Sequence, residues 1–234
     1  MLPVADFREK ILDNSRRGDW LYRGQSDPDW GLTSTLSRFC ARHQIRFSLD
    51  DFGRMLDGFI RRSSEFLEVD WHAFPLATRI ALAQHHGLPT PFLDWTASPY
   101  VALFFALVDH ATSLDTPQRC AVRVWALNAE TDRPLENLAE LHPGFGIVTP
   151  PGFMSRRMTR QQGCFTYLGS DVDLADQAKA LNLHLKPYDV AADVTTVLRE
   201  LRLMGLSAGT LFATVDAIAQ DVILDRVLRE LRPG

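Results

Sequence analysis

Apolar residues first recur at helical spacing in Phe7, Ile11 and Leu12, and the spacing predicts a helix over 7–17. The alternating side chains of 20–23 then read as a short strand, closed by the turn signal Ser26-Asp27-Pro28-Asp29. Arg23 therefore stands at a strand end. From Asp50 onward, Phe52, Met55, Leu56, Phe59 and Phe66 follow helical spacing, with Asp50 or Asp51 as the N-cap. Pro75 suits the first turn of a helix running through Ile80 and Leu82 to His86, and Gly87 is the residue type that stops it. Leu88-Pro89-Thr90-Pro91 imposes an extended passage.

Ser98 and Pro99 provide an N-cap and a first helical position for VALFFALV, a segment apolar on every face, so a core helix is expected over 99–110. Segments 119–127 and 181–186 read as strands, the second from its alternation of leucine with polar residues. Proline and glycine crowd 143–152, which predicts an exposed loop. Asp193 caps a helix over 194–204 with Gly205 as its stop, and Asp216 caps a last helix over 217–231. Helices early, strands scattered and helices at the end predict an α+β fold. A single domain over 1–234 is expected, with small mixed or antiparallel sheets flanked by helices.

Composition narrows the function classes. A chain of 234 residues, 46% of them apolar, can bury a full core. Cys40, Cys120 and Cys164 are odd in number and far apart, which points to neither a disulfide framework nor a thiolate zinc site but to a reducing cytoplasm. The opening MLPVADFREKIL carries charges through what would be the apolar part of a signal peptide. The longest apolar run, 100–108, is roughly half the ~20 residues that a bilayer-spanning helix needs. A cytoplasmic protein without a membrane segment is expected. The net charge of −4 argues against a broad grip on nucleic acid and leaves only local clusters such as Arg156, Arg157 and Arg160. Neither G-x-G-x-x-G nor G-x-x-x-x-G-K-[ST] occurs, so a nucleotide would bind by another geometry.

The residues with chemistry to offer lie at four places. Tyr22-Arg23-Gly24-Gln25 puts a guanidinium at a strand end, suited to a diphosphate or carboxylate, or equally to a structural pair with Asp94. His85 and His86 close a helix, where a capping role competes with a role in binding. Being adjacent, they point to different sides and do not share one metal, and no metal site is expected. Asp94-Trp95-Thr96-Ala97-Ser98 lies directly before the core helix, where free backbone N–H groups welcome an anion, although Ser98 as a plain cap and Asp94 as a buried structural acid explain it as well. Arg157-x-x-x-Gln161-x-Gly163-x-Phe165 supplies an amide that orients a ribose or a water but takes no proton. Cys164 has no histidine partner in this pattern and is expected to be buried and inert.

Four runs carry a family resemblance: YRGQSDPDWGLTSTLSR at 22–38, ALAQHHGLPTPFLDWTASPYVALFFA at 81–106, RMTRQQGCFT at 157–166 and LRLMGLSAGTLF at 201–212. Together they resemble the FRG domain family, named for its N-terminal (F/Y)RG motif and found in bacteria and phage. The chain also resembles, more distantly, the ADP-ribosyltransferase fold. There an aromatic-Arg-Gly strand end is followed by T-x-S-x-x-x-A-x-x-F-A entering a helix, and later by a catalytic Glu. Arg23-Gly24 is similar to the first element, and Thr96, Ser98, Ala102, Phe105 and Ala106 to the second. Gln161-Gln162-Gly163 stands where the Glu is expected. The resemblance implies NAD as substrate, with Arg23, Gly24, Gln25, His85, His86, Thr96 and Ser98 binding it and Arg23, Asp94 and Gln161 at the reacting centre. It implies an unidentified macromolecular acceptor and a role in bacterial defence or as a toxin. A non-catalytic module binding a nucleotide or a partner, and a nuclease using His85 or His86 with Asp94, are the competing readings.

Overall fold

The computed structural model describes residues 1–67, 69–112, 119–129, 144–149 and 159–230. One mixed seven-stranded sheet organises them: β1 (Leu2–Pro3), β2 (Trp20–Gln25), β3 (Phe92–Thr96), β4 (Arg119–Asn128), β5 (Phe145–Val148), β6 (Gly163–Leu168) and β7 (Leu185–Asp193). Their spatial order is β1-β7-β4-β2-β3-β6-β5. Only the short β1–β7 pairing is parallel. The flanking helices are α1 (Val4–Ser15), α2 (Thr35–His43), α3 (Leu49–Ser63), α4 (Leu76–His85), α5 (Pro99–Thr112), α6 (Leu174–Gln177), α7 (Val194–Leu203), α8 (Ala208–Phe212) and α9 (Val215–Glu230). The α+β expectation holds, with a single sheet in place of several small ones. Among the described residues no helix is long and apolar enough to cross a membrane.

Strand alternation divides the core. Trp20 and Tyr22 of β2, with Val122, Val124 and Ala126 of β4, meet α1, α5, α7, α8 and α9 in one cluster. Phe92, Phe165 and Tyr167 meet α2, α3 and α4 in a second. Leu93, Trp95, Trp125, Leu127 and Cys164 turn the other way, onto Leu32, Leu174, Ala178 and Leu183. Helix α5 is buried on most sides, from Val101 to Phe104 and again at Ala106 and Leu107, as its all-round apolar sequence requires. It lies so close to β2 that a Cβ at Gly24 would sit 1.9 Å from the Ala102 carbonyl oxygen. Position 24 of the family-like runs is thus glycine because the backbone of α5 at Ala102 and Ala106 leaves no room for a Cβ.

Several elements differ from the sequence expectation. Ser48, not Asp50 or Asp51, caps α3, its hydroxyl accepting from Asp51 N at 3.1 Å. The two aspartates instead occupy the first turn, where the helix dipole also favours them. Phe66 lies beyond the helix and is exposed. Helix α2, capped by Ser34 and buried through Leu36 and Cys40, was not anticipated at all. The strand expected over 181–186 begins only at Leu185 and runs to Asp193. Leu181 and Leu183 alternate because a turn after α6 drops both into the third cluster. Pro187 is tolerated inside β7 because β1 pairs only with Val190 and Ala191, so no ladder bond is lost on that side. Within the loop expected over 143–152, Phe145–Val148 forms β5 on the sheet edge, with Phe145 and Val148 buried. The rest of that stretch beyond 144–149, together with Arg156 and Arg157, lies outside the described residues.

Arg123 and Asp189 face one another across β4 and β7 and form a two-pronged bond, Nε to Oδ1 at 2.6 Å and Nη2 to Oδ2 at 2.9 Å. These hydrogen bonds hold the Asp189 carboxyl below its ordinary pKa. A carboxylate depressed in the folded state adds stability above its unfolded pKa of about 4, and that stability disappears as pH falls through the folded value. Asp189→Asn is therefore expected to lower the urea midpoint at pH 7. The difference from wild type should shrink as pH falls below the unfolded value, and a gap that stays constant with falling pH would assign the effect to packing.

Candidate functional site

The site begins where two strands part. β2 pairs with β4 along all of Trp20–Gln25, and β3 pairs with β6 along all of Phe92–Thr96. Between β2 and β3 the register holds at Tyr22↔Thr96 alone. Arg23 lies just past that point, and its Nη1 donates to the Asp94 carbonyl at 2.9 Å. A side chain thus supplies a bond that the ladder between β2 and β3 does not.

Asp94 is not the buried acid that its apolar neighbours suggest: its side chain is 62% exposed. Leu93 and Trp95 turn to the third cluster, and alternation leaves Asp94 on the opposite side, with Phe92. Its Oδ2 is 3.8 Å from Arg23 Nη1, and its Oδ1 accepts from Gln84 Nε2 at 2.8 Å. Gln84 is itself oriented. Phe92 N donates to the Thr90 hydroxyl at 3.2 Å, and that hydroxyl donates to Gln84 Oε1, so the amide nitrogen is the end left for Asp94. Thr35 of α2 closes the chain of contacts, accepting from Thr90 N at 2.9 Å and donating to Thr90 O at 3.1 Å.

Two guanidiniums attend this one carboxylate. Burial lowers the Arg23 pKa; Asp94 opposes the shift and the charge of Arg38 adds to it. Partial desolvation likewise lowers that of Arg38, although the residue is exposed overall, again with Asp94 opposing. The Arg23 side chain is only 18% exposed, and its Nε finds no hydrogen-bond partner among the described residues. Arg38 donates to the Thr33 carbonyl. Gly24 is used by the close approach of α5. Gln25 is buried, donating to Gly31 O at 3.0 Å and accepting from Trp125 Nε1 at 2.6 Å, so both ends of its amide serve the fold.

A second group lies at the other end of β3. The Thr96 hydroxyl donates to Gln161 O at 2.6 Å and accepts from Ser98 N at 3.0 Å. Ser98 caps α5, its hydroxyl accepting from Val101 N at 3.3 Å. Gln161 is thus brought to Thr96 through its backbone, while its amide donates to Leu211 O at 3.4 Å. Arg160 donates to Thr210 O at 3.2 Å beside it, so the two side chains serve carbonyls late in α8. His85 and His86 are exposed and meet edge to face at 5.2 Å. Cys164 is buried and its thiol pKa is pushed up to about 12, chiefly by burial, as expected of an inert core thiol. Among the described residues no cluster of three His, Cys, Asp or Glu side chains is placed to hold a metal ion.

The structure therefore brings Arg23 to Asp94 and Thr96 to Gln161, with the Tyr22↔Thr96 pair between them. Sequence reasoning missed Arg38, Gln84, Thr35 and Thr90. Their signal was present: all four fall inside the runs 22–38 and 81–106.

Comparison with known families matches residues 18–114 to the FRG domain, a stretch that spans β2, β3, α5 and the whole Arg23–Asp94–Gln84 constellation. No curated protein and no solved structure matches the chain.

Proposed function

We propose that this FRG domain binds NAD, or a closely related dinucleotide, at the parting of β2 and β3 and breaks its bond to nicotinamide, as a transferase or a glycohydrolase. The observation that carries the reading is an exposed carboxylate, Asp94, held by Gln84 next to the under-used guanidinium of Arg23. Arg23 would contact the diphosphate, and Thr96 and Ser98 would lie on the nicotinamide side. Asp94 would supply the negative charge that the ADP-ribosyltransferase resemblance assigns to a later Glu. In the reaction the glycosidic bond breaks with its electron pair passing to the nicotinamide ring nitrogen, which loses its positive charge. Water or an acceptor group then bonds to the anomeric carbon and gives up its proton, for which Asp94 is the nearby base. An acceptor macromolecule, and a role in bacterial defence or as a toxin, rest on the family resemblance.

Gln161 favours a second reading, a module that binds the nucleotide without turning it over. Its position lacks a carboxylate, and its amide is engaged by α8. The nuclease reading is weaker, because one oxygen of the Asp94 carboxylate is already taken by the Gln84 amide.

Calorimetric titration with NAD, followed by assay of released nicotinamide, separates these readings. Heat of binding with nicotinamide release supports the enzyme, binding alone supports the module, and no binding removes NAD from the site. Arg23→Lys is expected to weaken NAD binding by at least about tenfold while the protein stays folded, since an ammonium reproduces only part of a planar fork. Unchanged affinity in that variant would make Arg23 a structural residue.

A further inference from the structure

The first turn of α2 is fastened to the approach of β3 at three points: Leu36 N donates to Thr90 O at 2.9 Å, and the Thr35 hydroxyl both accepts from Thr90 N and donates to Thr90 O. Arg38 follows Thr35 by three positions, so it rises from the same side of the helix one turn later. It is exposed, and its charge bears on both Asp94 and Arg23. Arg23 stands on a different element, β2, and is held by its bond to the Asp94 carbonyl.

One carboxylate does not neutralise two guanidiniums, and this one is not saturating either of them. One Asp94 oxygen is taken by the Gln84 amide, and the other is 3.8 Å from Arg23, too far for a hydrogen bond. The Arg23 Nε is left without a partner among the described residues, which is costly for a group shielded from water. A cationic pair mounted on two separate elements, with a net charge of +1 after Asp94 is counted, suits an anion with oxygens on two adjacent centres.

We infer that Arg38 is the second arm of a two-arginine clamp with Arg23, and that the clamp selects a diphosphate group over a single phosphate. The inference deepens the NAD reading above and rests on it for the identity of the nucleotide. Arg23, on the strand, takes one phosphate, and Arg38, on the helix, takes the other.

The test is calorimetric titration of the wild type, Arg38→Ala and Arg38→Lys with ADP-ribose, inorganic pyrophosphate and adenosine monophosphate. Circular dichroism and thermal melting check the fold of each variant. Wild type should bind ADP-ribose and pyrophosphate more tightly than adenosine monophosphate. Arg38→Ala should weaken the two diphosphates by about ten- to hundredfold and the monophosphate by less. Arg38→Lys, which keeps the stem and the charge and guards against a misfolded alanine variant, should recover only part of the loss. Undiminished binding of both diphosphates in the two variants overturns the clamp, as does failure of the wild type to bind either. Arg38-dependent binding of pyrophosphate without binding of ADP-ribose keeps the clamp and removes the NAD reading.

Discussion

Asp94→Asn is expected to lower NAD turnover by about a hundred- to a thousandfold while the melting temperature stays close to wild type. On the proposed reading, the first half follows from removing a carboxylate beside a centre that would become positive as nicotinamide leaves, since electrostatic terms of this kind are among the largest in catalysis. The second half follows from exposure. With its side chain 62% exposed and 3.8 Å from Arg23, Asp94 forms a loose ion pair of the kind worth roughly 0–1 kcal/mol. Asparagine also retains an oxygen that can accept from Gln84. A buried ion pair would behave differently, because breaking one costs about 3–5 kcal/mol. Nicotinamide release and a thermal melt on this single variant read both quantities. A large fall in melting temperature would assign Asp94 to the fold, and unchanged turnover in an active wild type would remove it from the reacting centre.

Gly24→Ala should destabilise the protein by about 3 kcal/mol or more, at or beyond the upper end of ordinary overpacking. The new Cβ would lie 1.9 Å from Ala102 O, 2.8 Å from Ala102 C and 2.9 Å from Ala106 N. All three neighbours are backbone atoms of α5, so no side-chain rotation relieves the clash and no smaller residue at 102 or 106 rescues it. Either β2 or α5 must move. Because Arg23 precedes Gly24 directly, displacement of β2 should also weaken NAD binding. Urea denaturation of Gly24→Ala and of Gly24→Ala/Ala102→Gly measures the effect. Near-wild-type stability of the single variant, or rescue by the double one, would show that the approach of strand and helix is not the reason for glycine here.

Much of the fold is legible along the chain, for local reasons. Ser98 caps α5, Asp193 caps α7 through Thr196 N at 2.8 Å, and Gly205 stops α7 with a φ of +80°. Caps and stops act within a few residues, so short windows suffice to find them. The errors also have local causes. Leu181 and Leu183 alternate as a strand would but sit in a turn packed on the third cluster, and periodicity does not separate the two cases. Phe145–Val148 is hidden among glycine and proline because an edge strand of four residues needs only one paired partner, β6.

The candidate site divides along the same line. By itself the chain identified Arg23, Asp94, Thr96 and Ser98 as polar points in apolar surroundings, and the segments containing them as the family-bearing ones. Residue type and near-neighbour spacing are enough for that. Only the tertiary structure decided what each of them touches. It parted β2 from β3 beyond Tyr22↔Thr96, turned Asp94 outward, and brought Gln84 from α4 to orient its carboxylate. It also set Arg38 on α2 within electrostatic reach of Arg23, and gave the Gln161 amide to α8. Those outcomes depend on which strands pair, where the pairing stops and which helices cover each face. They are set by contacts between residues far apart in sequence, and local spacing carries no information about them.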